Sequence, residues 1–142
     1  MGSEACRKAG PIRVLLVDDE EGYVGVLAKR LAKRDLLVTS AFSGVEAIRI
    51  LRRNDFDLAV LDLKMPDMDG IEVLKIFKKM APDMAVIMLT GHGSEQAARD
   101  GILQGAYDYL TKPCELEDLI SKIRLACERR QCDDRYPSPS RG

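Results

Sequence analysis

The 142-residue chain has a single histidine, His92, and its four cysteines, Cys6, Cys114, Cys127 and Cys132, form no Cys-x-x-Cys pair. A zinc centre needs clustered His and Cys ligands and a disulfide framework needs paired, regularly spaced cysteines, so neither is expected. Its 22 basic and 23 acidic residues leave a formal charge of -1 and are mixed along the chain. Nothing resembles the basic stripe that nucleic-acid binding requires, and direct nucleic-acid contact is not expected. The sequence also lacks a charged-then-apolar leader and any apolar run of membrane-spanning length, so the expected location is cytoplasmic, with no membrane partner.

What is present suits one domain with one core. Residues 12–130 carry the periodic patterning, while residues 1–11 and 131–142 are polar and punctuated by Gly, Pro and Ser and are expected to be flexible ends. Ile12-Arg13-Val14-Leu15-Leu16-Val17 reads as a buried strand that stops on Asp18-Asp19-Glu20-Glu21. Residues 20–34 follow as an amphipathic helix with Val24, Leu27, Ala28 and Leu31 on one side and Lys29, Arg30, Lys33 and Arg34 in its last turns. Gly25 inside it suggests close packing on the sheet.

Leu36–Ala41 is a second strand, and Ser43-Gly44-Val45-Glu46 has the form of a capping box ahead of a helix ending near Arg53. Phe56–Asp62 is the third strand, followed by a helix with Ile71, Leu74 and Phe77, then the strand Ala85–Thr90. Gly91-His92-Gly93 breaks the chain, and Ser94 is placed to cap a helix over 95–104 whose buried side, Ala97, Ala98 and Ile102 around Gly101, is thin enough to make it the least stable element. A short strand, Tyr107–Thr111, and a helix carrying Leu116, Leu119, Ile120, Ile123 and Cys127 complete the pattern. Five strands alternating with five helices, the inner strands nearly all apolar, predict an α/β fold, a doubly wound parallel sheet covered on both faces.

In such a sheet ligands sit beyond the carboxyl ends of the strands. Asp18, Asp19, Asp62, Thr90 and Lys112 all fall at or just after those ends. Three converging carboxylates repel one another and need a compensating cation, and oxygen ligands favour a hard one such as Mg2+. Magnesium takes one or two carboxylates and keeps several waters, so Asp19 and Asp62 suit direct ligation, Asp18 ligation through a water, and the backbone carbonyl of Lys64 a further position. Lys112 and the Thr90 hydroxyl supply groups that hold the oxygens of a tetrahedral anion, and Asp62 at the centre can accept a phosphoryl group. An aspartyl phosphate hydrolyses readily, which suits a signal.

Val17-Asp18-Asp19-Glu20, Leu61-Asp62-Leu63-Lys64-Met65-Pro66-Asp67-Met68-Asp69-Gly70, Leu89-Thr90-Gly91 and Tyr109-Leu110-Thr111-Lys112-Pro113 resemble, in order and approximate spacing, the four motifs of response-regulator receiver domains of two-component signalling. The likeness covers about residues 12–128, and four ordered motifs are far more specific than any one. The chemotaxis receiver of that family is flavodoxin-like, with strand order 2-1-3-4-5, so the resemblance implies that order here. It further implies that Asp62 takes a phosphoryl group from a histidine of a sensor kinase or phosphotransfer protein, and that Asp18 and Asp19 hold magnesium. Lys112 would contact the phosphoryl group, Thr90 and Tyr109 would form a conformational switch, and Pro113 would follow a cis peptide bond that turns Lys112 toward the site. Such a domain catalyses its own phosphoryl transfer and dephosphorylation without being a conventional enzyme. It signals to a downstream protein or a second copy of itself through the 95–104 helix, the 107–111 strand and the last helix.

Taken singly, each residue has a plainer account: Asp18 as a helix cap, Lys112 as a solvated charge, Thr90 as a strand residue, Tyr109 as a half-buried aromatic, His92 as an exposed loop residue. An aspartate-nucleophile phosphatase would place a second carboxylate two residues after Asp62, where Lys64 stands. A flavin-binding flavodoxin would need a Ser/Thr/Gly-rich loop in place of Asp18-Asp19-Glu20-Glu21. The open alternative is downstream: a free-standing receiver, or the regulatory domain of a longer DNA-binding regulator.

Overall fold

The computed structural model describes residues 11–91 and 95–135, with side chains described as far as Glu128. His92 and Ser94, assigned above to a loop and a helix cap, lie outside the described residues. Ten elements alternate: β1 (Ile12–Val17), α1 (Glu21–Ala32), β2 (Leu36–Ala41), α2 (Gly44–Arg53), β3 (Leu58–Asp62), α3 (Gly70–Met80), β4 (Ala85–Thr90), α4 (Glu95–Leu103), β5 (Asp108–Thr111) and α5 (Leu116–Arg135). The strands form one sheet in the order β2-β1-β3-β4-β5, every pair parallel. This is the flavodoxin-like arrangement the resemblance implied, and its winding reverses between β1 and β3, which opens a crevice at their carboxyl ends.

Alternation along the inner strands divides the core into two layers. Leu15, Val17, Ala59, Leu61, Val86 and Met88 face α2, α3 and α4, with Phe77 and Leu74 of α3 fully buried among them. Val14, Leu16, Leu58, Val60, Ile87 and Leu89 face α1 and α5, against Leu27, Leu31, Leu119 and Ile123. Burying a side chain of this size contributes about 1.5–3 kcal/mol, so both layers hold the strand ends, and the groups that follow them, in fixed positions.

The capping box at α2 is formed with one displacement. Ser43 Oγ accepts from the Glu46 N–H at 3.0 Å, and Glu46 Oε1 accepts in return from the Phe42 N–H at 2.7 Å, one residue before the cap. Two expectations are corrected. Gly25 does not pack on the sheet: it is exposed on α1, and a Cβ there would meet nothing within 4 Å. On α4 the buried residues are Ala98 and Gly101, whereas Ile102 is 39% exposed. Gly101 lies so close to the Met88 side chain that a Cβ would collide with its sulfur, so glycine here brings α4 down onto β4. The last helix, α5, runs as far as Arg135.

Candidate phosphoacceptor site

Asp18 directly follows β1 and Asp62 closes β3, adjacent strands on either side of the winding reversal. Both are buried, because helices cover both faces of the sheet up to this edge. Oxygens of Asp18, Asp19 and Asp62 lie within 4.8 Å of one another, with Asp19 the most open of the three to solvent. Asp18 Oδ1 accepts from the Glu20 N–H at 3.0 Å, and Asp62 Oδ1 accepts from the Lys64 N–H at 3.2 Å.

Lys112 arrives from β5, two strands away. Its N–H donates to the Thr90 carbonyl at 2.6 Å, its peptide bond to Pro113 is cis, and its ammonium reaches the acidic group. Nζ lies 2.9 Å from Asp18 Oδ2, 3.0 Å from Glu20 Oε1 and 3.8 Å from Asp62 Oδ2, and it stands 4.7 Å from the centroid of the Tyr23 ring. Glu20 and Tyr23 had no role assigned from sequence. Tyr23 lies one helical turn beyond Glu20, which is the spacing that brings both over the same strand end.

One ammonium serves three carboxylates, and of these Asp62 is the farthest from it. Burial pushes the Asp62 carboxyl up from 3.8 to about 6, and the Asp18 charge adds to this, while the Lys64 N–H and the Lys112 charge offset only part of it. Burial works against the charge of Lys112 as well, yet the hydrogen bonds to Asp18 and Glu20 and the charges of Asp62 and Asp18 outweigh it and raise its pKa above the ordinary lysine value. Lys112 thus stays a cation wherever this site operates. Burial and the neighbouring Cys114 push Tyr23 up to about 12, so it presents a neutral ring to that cation.

Thr90 is fully buried at the end of β4, and among the described residues its Oγ1 has no hydrogen-bond partner. A buried hydroxyl left unpaired costs about 1–3 kcal/mol, so it is poised to gain a partner. Tyr109 pairs across β4–β5 with Met88 and packs half-buried against the α2/α3/α4 layer; it does not line the cleft. The cleft, about 500 Å³, is lined by Asp19, Glu20, Tyr23, Asp62, Lys64, Gly91, Lys112 and Pro113. The structure therefore brings Asp18, Asp19, Asp62, Lys64 and Lys112 together, with Thr90 tied to Lys112 through the backbone. An all-oxygen donor set with uncompensated negative charge, partly buried and partly open to water, fits a hydrated hard cation such as magnesium.

The sequence matches the response regulator receiver domain family over residues 14–124, and the chain belongs to that family. It is 40% identical over 119 residues to the transcriptional regulatory protein GlrR of Escherichia coli strain K12, covering 84% of this chain and 27% of that protein. It is 35% identical over 130 residues to the response regulator MprA of a Mycobacterium species, covering 92% of this chain and 56% of that one. Among solved structures, the CheY-like receiver domain protein of Methanospirillum hungatei superposes with a TM-score of 0.83 at 30% identity, over 87% of this chain and 98% of the other. The chain thus spans between about a quarter and just over half of the two curated relatives' lengths, and nearly all of that receiver structure. Two-component signalling is the setting of this family.

Proposed function

We propose that this chain is a phosphorylation-dependent switch in which Asp62 accepts a phosphoryl group from a phosphohistidine of a sensor kinase or phosphotransfer protein. The observation that carries the reading is the Asp18, Asp19 and Asp62 cluster, whose oxygens lie within 4.8 Å of one another, with the Lys112 ammonium against Asp18 and Asp62. Asp18, Asp19, Asp62 and the Lys64 carbonyl would hold Mg2+. When bound, magnesium would neutralise the carboxylates and draw charge from the transferring group. An Asp62 oxygen attacks phosphorus, the phosphorus–nitrogen bond of the donor breaks, and the imidazole leaves with its electron pair to take up a proton from water. Lys112 then exchanges one carboxylate for a phosphoryl oxygen, and the unpaired Thr90 hydroxyl donates to another.

A charge-assisted hydrogen bond of that kind is worth about 1.5–3 kcal/mol, comparable to the gap between two populated conformers. Moving Thr90 opens space beside Tyr109, which shares the β4–β5 pairing and turns inward. The output surface is α4, β5 and α5: α4 buries only Ala98 and Gly101 and leaves Leu103 83% exposed, so little holds it in place. A downstream protein or a second copy of the chain docks there. Among the described residues no helix is long and apolar enough to cross a membrane, and we assign the switch to the cytoplasm.

Hydrogen exchange with and without magnesium and beryllofluoride, a phosphoryl mimic, tests the switch. The largest changes are expected in residues 95–128, and Thr90→Ala is expected to suppress them while Asp62 still accepts phosphate. Changes centred on residues 20–53, or unaffected by Thr90→Ala, would contradict it. A second reading concerns output alone: 40% identity to a transcriptional regulatory protein favours a receiver that governs transcription through an attached DNA-binding part, and the complete reading frame would decide it.

A further inference from the structure

The loop between Asp62 and α3 is anchored at an unexpected place. At its base the Gly70 N–H donates to the Leu63 carbonyl at 3.2 Å, Lys64 and Asp69 form an isolated antiparallel bridge, and a Cβ on Gly70 would come within 2.5 Å of Leu63 Cα. At its tip the Asp67 carboxylate reaches α2: Oδ1 accepts from the Gly44 N–H at 3.1 Å and Oδ2 from the Val45 N–H at 3.0 Å. Those are the first two N–H groups of α2, which no residue within the helix can satisfy. Ser43 takes the third, so the helix start is completed by a residue more than twenty positions away. The tip is also in contact at Met68, whose Sδ would lie 3.0 Å from a Cβ on Gly44. The slight burial of Asp67 works against its ionised form, yet the N–H groups of Val45 and Gly44, with those of Asp67 itself and Met68, hold its carboxyl below the ordinary range. Asp67 therefore stays an anion, matched to the positive end of the α2 dipole.

We infer that Asp67 is a positioning residue for the phosphoacceptor site: by clamping the loop tip to the start of α2 it fixes the Lys64 peptide, whose N–H is bonded to Asp62 and whose carbonyl is the candidate metal ligand. This rests on the reading of Asp62 and its neighbours given above. It also places the start of α2 in mechanical contact with the site, through a side chain that touches neither phosphoryl group nor metal.

Amide exchange in the metal-free protein, followed by calorimetric titration with magnesium, tests it on Asp67→Ala, Asp67→Asn and Ser43→Ala. In Asp67→Ala, exchange at residues 63–69 should rise about fivefold to tenfold, the factor for losing one net hydrogen bond, and magnesium binding should weaken several-fold. Asp67→Asn keeps one acceptor oxygen and should fall between. Ser43→Ala weakens the same helix start without touching the loop, so it should lower stability yet leave both readouts unchanged. Wild-type exchange and magnesium affinity in Asp67→Ala would overturn the inference, as would equal losses in Ser43→Ala. If the unsubstituted protein bound no magnesium, the site reading would fall, while the metal-free exchange would still decide whether the clamp exists.

Discussion

Strand β3 is bracketed by two buried aspartates, Asp57 just before it and Asp62 at its end, and they differ in every respect except residue type and burial. Asp57, 3% exposed, accepts from the Arg13 N–H at 2.8 Å and faces the Arg13 guanidinium at 3.4 Å, while its own N–H and carbonyl bond to Arg13 and Ala85. Asp62, 5% exposed, shares one ammonium with Asp18 and Glu20, and that ammonium stands nearer to both of them than to it. A buried carboxylate with a cation of its own serves the fold. One that must compete for a cation is held in readiness for a ligand that will relieve it.

The largest effect expected from this contrast is at the structural end. Asp57→Ala leaves the part-buried Arg13 N–H and the half-exposed guanidinium without this partner, so it should destabilise the protein by about 1–3 kcal/mol in urea denaturation, with no change in the response to magnesium. A loss below about 0.5 kcal/mol, the range of ordinary surface substitutions, would erase the distinction.

At the site the sign reverses. Asp62→Asn should stabilise the metal-free protein by about 1–2 kcal/mol, a figure reduced for screening by water at the open cleft, and should abolish most of the stabilisation by magnesium. The pH dependence follows from the same displacement. Because Asp62 titrates at about 6 in the folded chain and 3.8 outside it, the folded state binds the proton more readily between those values. Its contribution to stability therefore increases as pH falls from neutrality through about 6, and Asp62→Asn should remove that component from the melting-temperature profile. Asp19→Asn, at the more open carboxylate, should show the same pattern with a smaller stabilisation.

Much of this contrast was visible in the sequence at one end only. The buried strands, the strand-end carboxylates and Lys112 were legible because local periodicity places them at one edge of a parallel sheet. The Arg13–Asp57 pair and the Asp67 clamp were not, because each joins segments 44 and about twenty residues apart, a relation that depends on register and loop geometry rather than on pattern. Helix faces were misjudged where the apolar stripe is narrow: Gly25 and Ile102 lie on the exposed sides of their helices, and Gly101 is the point where α4 meets Met88 of β4. The cis peptide before Pro113 came from the family resemblance, and the structure contains it.

The central claim is that Asp62, the farthest of the three carboxylates that Lys112 contacts, is the phosphoacceptor. Incubation with magnesium and acetyl phosphate, read by intact mass, tests it most directly. The unsubstituted chain should gain one phosphoryl group that is lost again on standing, and Asp62→Ala should gain none, whereas equal labelling of Asp62→Ala would contradict the account.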